Sequence, residues 1–220
     1  MKTSSYLIPR TLYLVLMLNL FVATHVVGQT PLTASQQQQV MEKIDKAARS
    51  MSSMQCDFIQ TKRMKLLRGE MESRGVMYFK KPDCLRWQYT APYDYTFILN
   101  GDKVSLASSK SKQKIDVRGN KILRQITTII LGCITAGGLN SPGDFRVELY
   151  KNPTAYSAKL YPKKKELKQI YDVIEITFND GLSMVSRVVM TEKSGDVTTV
   201  KLLNVKTNPT IDDGTFHIYN

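Results

Sequence analysis

The stretch VMYFKKPDCLRWQY, residues 76–89, decides the fold of this chain. In its first half Met77 and Phe79 alternate with Val76, Tyr78 and Lys80, and in its second half Leu85, Trp87 and Tyr89 alternate with Arg86 and Gln88. Alternation with a period of two places every second side chain on the same side of a β-sheet. Pro82 cannot donate a hydrogen bond to a neighbouring strand, so it belongs in a turn. The stretch is therefore predicted to form a hairpin with one large apolar, aromatic face.

Most of the remaining chain alternates in the same way. Strands are predicted at residues 54–64, 70–80, 95–99, 104–107, 145–150, 155–161, 171–178, 182–191 and 197–204, with short ones at 114–117 and 216–219. Gly75 predicts a bulge or bend in its strand, and Asn100-Gly101 predicts a type I′ hairpin turn. We expect about ten or eleven strands, nearly all joined by hairpins.

Two segments have the periodicity of a helix instead. Residues 33–53 carry an apolar stripe at helical spacing, which includes Val40 and Ile44. Ser35 and Gln38 fit a capping box at the start of this helix. Residues 121–133 carry a broad apolar face, and glycine residues end the segment. Each helix is predicted either to pack on a core or to cover a cavity.

These elements predict a fold that is mainly β with α (α+β). An antiparallel sheet of about ten strands has to curl or close in order to bury one face. We therefore expect a strongly curved antiparallel sheet. The helices at residues 33–53 and 121–133 are expected to cover its concave apolar face.

The first 28 residues have the features of a secretory signal peptide. Lys2 and Arg10 supply positive charge, residues 11–27 are an apolar run, and residues 26–28 offer small side chains for cleavage. The run is at the short end for a membrane span, which needs about 20 apolar residues. The alternative is an uncleaved membrane anchor. We expect an exported, soluble protein in which residues 29–220 form a single domain.

The charge of the chain narrows the classes of partner. The formal net charge is +12, and removal of Lys2 and Arg10 with the signal peptide leaves +10. Such a balance fits nucleic acid, an anionic membrane surface or acidic partners. Export argues against nucleic acid, and no predicted helix carries a dense basic face. The expected contacts are therefore a transient one with an anionic membrane surface or one with an acidic protein partner.

Cysteine and histidine usage indicates no reactive site. Cys56, Cys84 and Cys133 are an odd number and cannot all pair within the chain, so buried thiols are favoured over a disulfide between the first two. His217 is the one histidine after residue 28 and falls in the predicted last strand. The sequence contains no metal-ligand spacing, nucleophile motif or phosphate-binding glycine loop. We expect no enzymatic activity, no metal and no cofactor.

The chain offers more apolar surface than a small core plainly needs. The candidates to line one side of neighbouring strands are Phe58, Met77, Phe79, Leu85, Trp87, Tyr89, Phe97 and Leu99. Ligand pockets are mostly apolar with a few placed polar groups, and an acyl chain gains about 0.8 kcal/mol per buried methylene. Together with Ile126 and Ile130 of the second helix, these residues are predicted to line an acyl-chain cavity. The alternative is a dry core that meets the helices.

Three segments of the sequence follow the pattern of a known family. Residues 58–61 read FIQT, residues 75–82 read GVMYFKKP and residues 85–89 read LRWQY. They resemble the F-x-Q, the glycine-led strand that ends in K-[RK]-P, and the R-W-x-Y of the LolA family, the periplasmic outer-membrane lipoprotein carrier proteins. Weaker similarities follow at residues 100–103, at residues 160–163 and around Phe216.

The resemblance implies an open β-barrel with a helical lid over an apolar interior. It also implies a periplasmic, monomeric carrier that takes acylated lipoproteins from an inner-membrane transporter complex. Such a carrier shields the acyl chains and passes them to the outer membrane, with or without a dedicated acceptor there. In the family an arginine before the turn proline ties the lid. Lys81 holds that position here, and because lysine lacks the planar guanidinium fork, a looser tether is implied.

The same fold leaves one alternative function open. Related lipoprotein-sorting and envelope-stress sensor proteins share it, so the chain could instead be a lipoprotein-sensing or lipid-sensing adaptor in signalling. A chain with one such domain favours the carrier.

Overall fold

The computed structural model describes residues 29–66, 69–116, 121–135, 139 and 143–218, and within the helix at 121–135 the side chains of 127 and 129–135. The predicted signal peptide lies outside these ranges. The strands are β1 (Thr30–Pro31), β2 (Ser53–Met64), β3 (Gly69–Lys80), β4 (Cys84–Ala91), β5 (Tyr95–Asn100), β6 (Lys103–Ser108), β7 (Lys112–Asp116), β8 (Phe145–Lys151), β9 (Tyr156–Pro162), β10 (Tyr171–Phe178), β11 (Val185–Glu192) and β12 (Val197–Thr207). The helices are α1 (Ala34–Ser50), α2 (Lys121–Thr135) and α3 (Lys165–Lys168), with a 3-10 helix at Asp213–Phe216.

The strands form one antiparallel sheet of twelve, in the order β1-β8-β9-β10-β11-β12-β2-β3-β4-β5-β6-β7. β1 and β7 are its edges and do not pair with each other in the described part of the chain, so the barrel is open. The predicted fold class is confirmed. The additional strand, β1, cannot be predicted from alternation because it has only two residues, which pair with Lys151 and Tyr150 of β8.

The hairpin of residues 76–89 forms from β3 and β4, as predicted. Phe79 pairs with Leu85, Met77 with Trp87 and Gly75 with Tyr89, which places these side chains on one face. The register shifts at Gly75, which confirms the predicted bulge. A Cβ atom at Gly75 would lie 2.0 Å from the backbone oxygen of Gln88 and 2.6 Å from the ring of Phe58. The close approach of these two groups therefore requires glycine at this position.

The turn between β5 and β6 is displaced by one residue from the prediction. Asn100 pairs with Lys103, so the turn residues are Gly101 and Asp102. Only Gly101 has a positive φ, of 57°. A type II′ turn needs a positive φ at its first central residue alone, whereas the predicted type I′ turn needs it at both.

The capping box of α1 uses Thr33 and Gln36 rather than Ser35 and Gln38. The Thr33 side chain accepts from the backbone N–H of Gln36, and the Gln36 side chain accepts from the backbone N–H of Thr33 at 3.0 Å. Both pairs have the same spacing, so the pattern alone does not distinguish them. The position of Leu32 distinguishes the two pairs. Leu32 is buried and its N–H donates to the oxygen of Leu149, which fixes where the chain enters the helix.

The prediction of a strand at residues 216–219 is wrong for its described part, 216–218. The preceding segment forms the 3-10 helix, with the Asp212 side chain accepting from the N–H of Gly214 at 2.7 Å. Phe216 is buried with Ile98 and Ile211 in a small cluster on the convex side of the sheet. Phe216 therefore packs on the face of the sheet instead of pairing as a strand, and His217 is exposed.

The concave face carries the main core and both long helices. Helix α1 contributes Val40 and Ile44 to this core, and α2 contributes Ile129, Cys133 and Ile134. The predicted covering of the concave face by the helices therefore holds. Among the described residues, no helix is long and apolar enough to cross a membrane.

Candidate functional site: an apolar cavity under helix α2

The structure brings nine of the ten predicted cavity residues together on the concave side. Phe58, Met77, Phe79, Leu85 and Leu99 are fully buried, and Trp87, Tyr89, Phe97 and Ile130 are half-buried against them. The side chain of the tenth, Ile126, lies outside the described residues. The alternation of apolar residues thus identified one continuous surface, which contains both filled core and open space.

An apolar cavity of about 170 Å³ lies between α2 and four strands of the sheet. Its lining consists of Trp87, Ile129, Ile130, Cys133, Ile134, Tyr171, Val188, Met190, Val200 and Leu202. Of the predicted residues, Trp87 and Ile130 lie in this wall, and the five fully buried ones pack beside it. An apolar cavity of about 150 Å³ accepts a benzene-sized ligand, so this one has room for a short hydrocarbon segment.

Half of the wall residues come from β10, β11 and β12, strands that the sequence does not assign to the site. Val188 pairs with Val200, and both belong to the apolar half of alternating strands. Leu202 pairs in turn with Phe58, which continues the same face onto β2. The alternation in β11 and β12 was a usable signal. What the sequence lacks is the position of α2 above these strands.

A second, wider cleft of about 620 Å³ lies further along the concave face. It is lined by Gln60, Lys62, Met71, Ser73, Tyr89, Pro92, Tyr93, Asp94, Tyr95, Ser108, Ser109 and Lys110. We call it the mouth cleft, because its lining includes the turns that follow β4 and β6. Its mixture of polar and apolar side chains contrasts with the apolar cavity under α2.

Aromatic rings connect the mouth cleft to the apolar cavity. The ring of Phe58 lies 4.7 Å from that of Trp87, in the cavity wall, and 5.2 Å from that of Tyr89, in the cleft wall. The Tyr89 hydroxyl donates to Oε1 of Gln60 at 3.0 Å. Burial raises the pKa of Tyr89, and the hydrogen bond to Gln60 opposes part of that rise. The phenol therefore stays neutral at physiological pH and can share a wall with a hydrocarbon.

The cysteines are free thiols in this structure. Cys56 points to the concave core, whereas Cys84 packs on the convex side with the cluster around Phe216, so no bridge joins them. Burial raises the pKa of Cys133 to about 12, and burial together with the neighbouring Asp57 carboxylate raises that of Cys56 to about 12. The thiol in the cavity wall is therefore uncharged and behaves as a small apolar group.

Lys81, the predicted lid tether, joins the β3–β4 turn to the end of α1. Its Nζ donates to the backbone oxygens of Ala48 at 2.7 Å and Arg49 at 3.0 Å. Its backbone N–H donates to the oxygen of Ser52. A cation at a helix C-terminus interacts favourably with the helix dipole and with the terminal carbonyl groups. The hairpin turn thus holds α1, whereas α2 roofs the cavity.

Replacing Lys81 with methionine is expected to lower the free energy of unfolding by about 1 kcal/mol, because two charge-assisted hydrogen bonds are lost. Amide hydrogen exchange in the last turn of α1 should accelerate more than exchange in β3. The matched control is Lys43→Met, which removes an exposed lysine from the same helix. Equal exchange rates in the two variants would contradict a tethering role.

The described residues contain no cluster of three His, Cys, Asp or Glu side chains that could hold a metal ion. The geometry of this region is that of a binding surface: an apolar space, a polar mouth and a helical cover.

Comparison with known proteins identifies the family. The model for the outer membrane lipoprotein carrier protein LolA matches residues 49–219. The chain belongs to the LolA family. The resemblance seen in FIQT, GVMYFKKP and LRWQY is thereby confirmed, and the matched range includes every strand of the described sheet except β1.

Curated relatives agree with this LolA assignment. The chain is 25% identical over 167 residues to the outer-membrane lipoprotein carrier protein of Pseudoalteromonas translucida, covering 76% of each chain. It is 26% identical over 168 residues to the protein of the same name from Methylococcus capsulatus, covering 76% of this chain and 77% of the relative.

Solved structures share the fold at low sequence identity. An uncharacterized conserved protein from Thermus thermophilus has a TM-score of 0.51 and 12% identity, covering 84% of this chain and 94% of that one. A chain in the Pseudomonas aeruginosa MucA/MucB complex has a TM-score of 0.50 and 9% identity, covering 83% and 60%. These similarities concern the fold alone.

Proposed function

We propose that this LolA-family protein is a non-enzymatic periplasmic carrier of lipoproteins. It holds their acyl chains on the concave face of the sheet and delivers them from the inner to the outer membrane. The observation that carries the proposal is the space under α2, which is walled almost entirely by apolar side chains and is left open beside a filled core. The curated relatives named as lipoprotein carriers support the same cargo.

The binding energy comes from removing hydrocarbon from water. Each buried methylene contributes about 0.8 kcal/mol. The cavity of about 170 Å³ takes only a segment of an acyl chain, so a complete chain requires that α2 move outward. Ile129, Ile130 and Ile134 form the α2 side of the wall. Displacement of this helix opens the cavity toward the mouth cleft, with Phe58 between the two spaces.

The two helices have different parts in this mechanism. Lys81 holds the C-terminal end of α1 through the Ala48 and Arg49 carbonyl groups, so α1 remains with the sheet. Helix α2 covers the cavity and is the moving part. Release also keeps the hydrocarbon out of water, because a bilayer interior offers the acyl chains an equally apolar environment. The inner-membrane transporter complex supplies the cargo, and the outer membrane or an acceptor on it receives the cargo.

The decisive experiment is capture of a synthetic triacylated lipopeptide by the protein that lacks residues 1–28, without detergent. Donor vesicles that contain the lipopeptide are mixed with the protein and removed by centrifugation. We expect lipopeptide in the supernatant as a complex with the protein. The fluorescence of Trp87, the single tryptophan of the chain, should change in parallel because it lies in the cavity wall.

Retention of all lipopeptide in the vesicles, together with an unaltered Trp87 spectrum at saturating protein, would refute the carrier function. Mass spectrometry of protein purified from cells without detergent adds an independent readout. Acylated peptides should co-purify with it. Recovery of a membrane-bound regulator in place of acylated species would favour the sensing adaptor instead.

A further inference from the structure

Exposed apolar side chains concentrate at one end of the sheet. Among the described residues, the large apolar side chains that are strongly exposed are Leu66 (91%), Tyr93 (56%), Leu203 (41%), Met71 (40%) and Ile170 (36%). All but Leu203 lie in or next to turns at the end where β2, β4 and β11 finish. We call this the open end. Isolated exposed apolar residues need no explanation, but several at one edge mark an interaction surface.

Hydrogen bonds between turns place these residues together. The backbone N–H of Lys65, next to Leu66, donates to the Asp196 side chain in the β11–β12 turn at 3.0 Å. In that same turn the N–H of Lys193 donates to the oxygen of Ile170 at 2.9 Å. The β2–β3 turn, the β11–β12 turn and the segment before β10 are thus neighbours. Leu66 is the most exposed apolar side chain of the group.

The mouth cleft opens at this same end. Tyr93 belongs both to the cleft lining and to the exposed apolar group, and Met71 lines the cleft beside Lys62. Ser109 and Lys110, in the turn after β6, complete this side of the opening. A hydrocarbon chain that leaves the concave face through the cleft therefore emerges among exposed apolar side chains.

The charges around Leu66 suit an anionic surface. Arg63 and Lys65 lie within three positions before it, and both are exposed. Several carboxylates of this end are neutralised by lysines: Glu192 by Lys62, Asp172 by Lys193 and Asp144 by Lys164. A single apolar tip flanked by cations is typical of segments that sit in the headgroup region of a bilayer.

We propose that the open end docks directly on an anionic lipid bilayer and inserts Leu66 into its headgroup region. The mouth cleft then faces the membrane, and an acyl chain passes between the protein and the bilayer without crossing water. A bilayer is the occupant that fits, because Leu66, Tyr93 and Ile170 lie in separate turns and a fluid surface adapts to them. This inference rests on the proposed carrier function and specifies where delivery takes place.

Vesicle co-sedimentation of the cargo-free protein tests the docking surface. The vesicles contain phosphatidylglycerol and phosphatidylcholine, and no membrane protein. We expect binding that weakens as salt is added, and we expect Leu66→Ser to weaken it about tenfold through loss of one buried leucine side chain. The matched control is Leu203→Ser, an exposed leucine on the convex face outside the open end, which should bind as the wild type does. Circular dichroism verifies that both variants are folded.

Equal vesicle binding by the Leu66→Ser and Leu203→Ser variants would overturn the proposal. So would the absence of wild-type binding to these vesicles, which would point to a protein acceptor at this end. The lipopeptide assay separates this inference from the carrier function. Leu66→Ser should still capture lipopeptide in solution but should transfer it more slowly to acceptor vesicles. Capture and transfer at wild-type rates would refute the docking surface alone, whereas a wild type that captures nothing would refute the carrier function.

Discussion

Replacing Gly75 with alanine is expected to lower the free energy of unfolding by about 3 kcal/mol. The new Cβ would lie 2.0 Å from the backbone oxygen of Gln88, in the adjacent strand β4. It would also lie 2.6 Å from the ring of Phe58, which cannot rotate freely because it packs between Trp87 and Tyr89. Strands β3 and β4 must therefore separate to make room for a single methyl group. The midpoint of urea unfolding measures the loss.

The chain offers a matched control for this substitution. Gly143 has no atom within 4 Å of an added Cβ, and its φ is not positive. Gly143→Ala should change the unfolding free energy by less than about 0.5 kcal/mol, or stabilise slightly by restricting the unfolded chain. If the two alanine variants unfold at the same urea concentration, the close packing of Gly75 against β4 is not what fixes this hairpin.

Replacing Val188 with phenylalanine is expected to weaken lipopeptide binding at least tenfold. Val188 is buried in the wall of the cavity under α2, so the larger ring occupies space that the acyl chain would take. Exclusion of two methylenes costs about 1.6 kcal/mol, which corresponds to slightly more than a tenfold loss of affinity. A titration with triacylated lipopeptide, followed by Trp87 fluorescence, measures the change.

Val189 supplies the control on the same strand. It pairs with Glu175 and Thr199 and faces the convex side, where no acyl chain is proposed to bind. Val189→Phe should therefore leave the lipopeptide affinity unchanged. If Val188→Phe and Val189→Phe bind lipopeptide equally well, the acyl chains lie elsewhere on the protein, and the cavity under α2 is only a packing defect.

The sequence allowed the faces of the sheet to be predicted because alternation is a local property. Met77, Phe79, Leu85 and Trp87 could be placed on one side from the hairpin pattern alone, and the fold class followed from the succession of such segments. The two helices were equally accessible, since their apolar stripes repeat at helical spacing. The capping box was misplaced by two residues because Thr33 and Ser35 satisfy the same local pattern.

The position of the cavity could not be predicted, because filled core and open space have the same local signature. Phe79 and Trp87 both alternate with polar neighbours, yet one is buried in the core and the other lines the cavity. The difference depends on where α2 rests on β11 and β12, which are more than fifty residues away along the chain. The exposed apolar tip at Leu66 was missed for a related reason, since only the assembled turns reveal that it lies beside the mouth cleft.

The separation between edge strands β1 and β7 bears on what the protein can carry. In a closed barrel the number of strands and their shear fix the diameter. Here a small change in twist can widen or narrow the concave face without breaking any hydrogen bond between adjacent strands, because no hydrogen bonds join β1 to β7 among the described residues. The same protein is therefore expected to bind lipoproteins whose acyl chains differ in size.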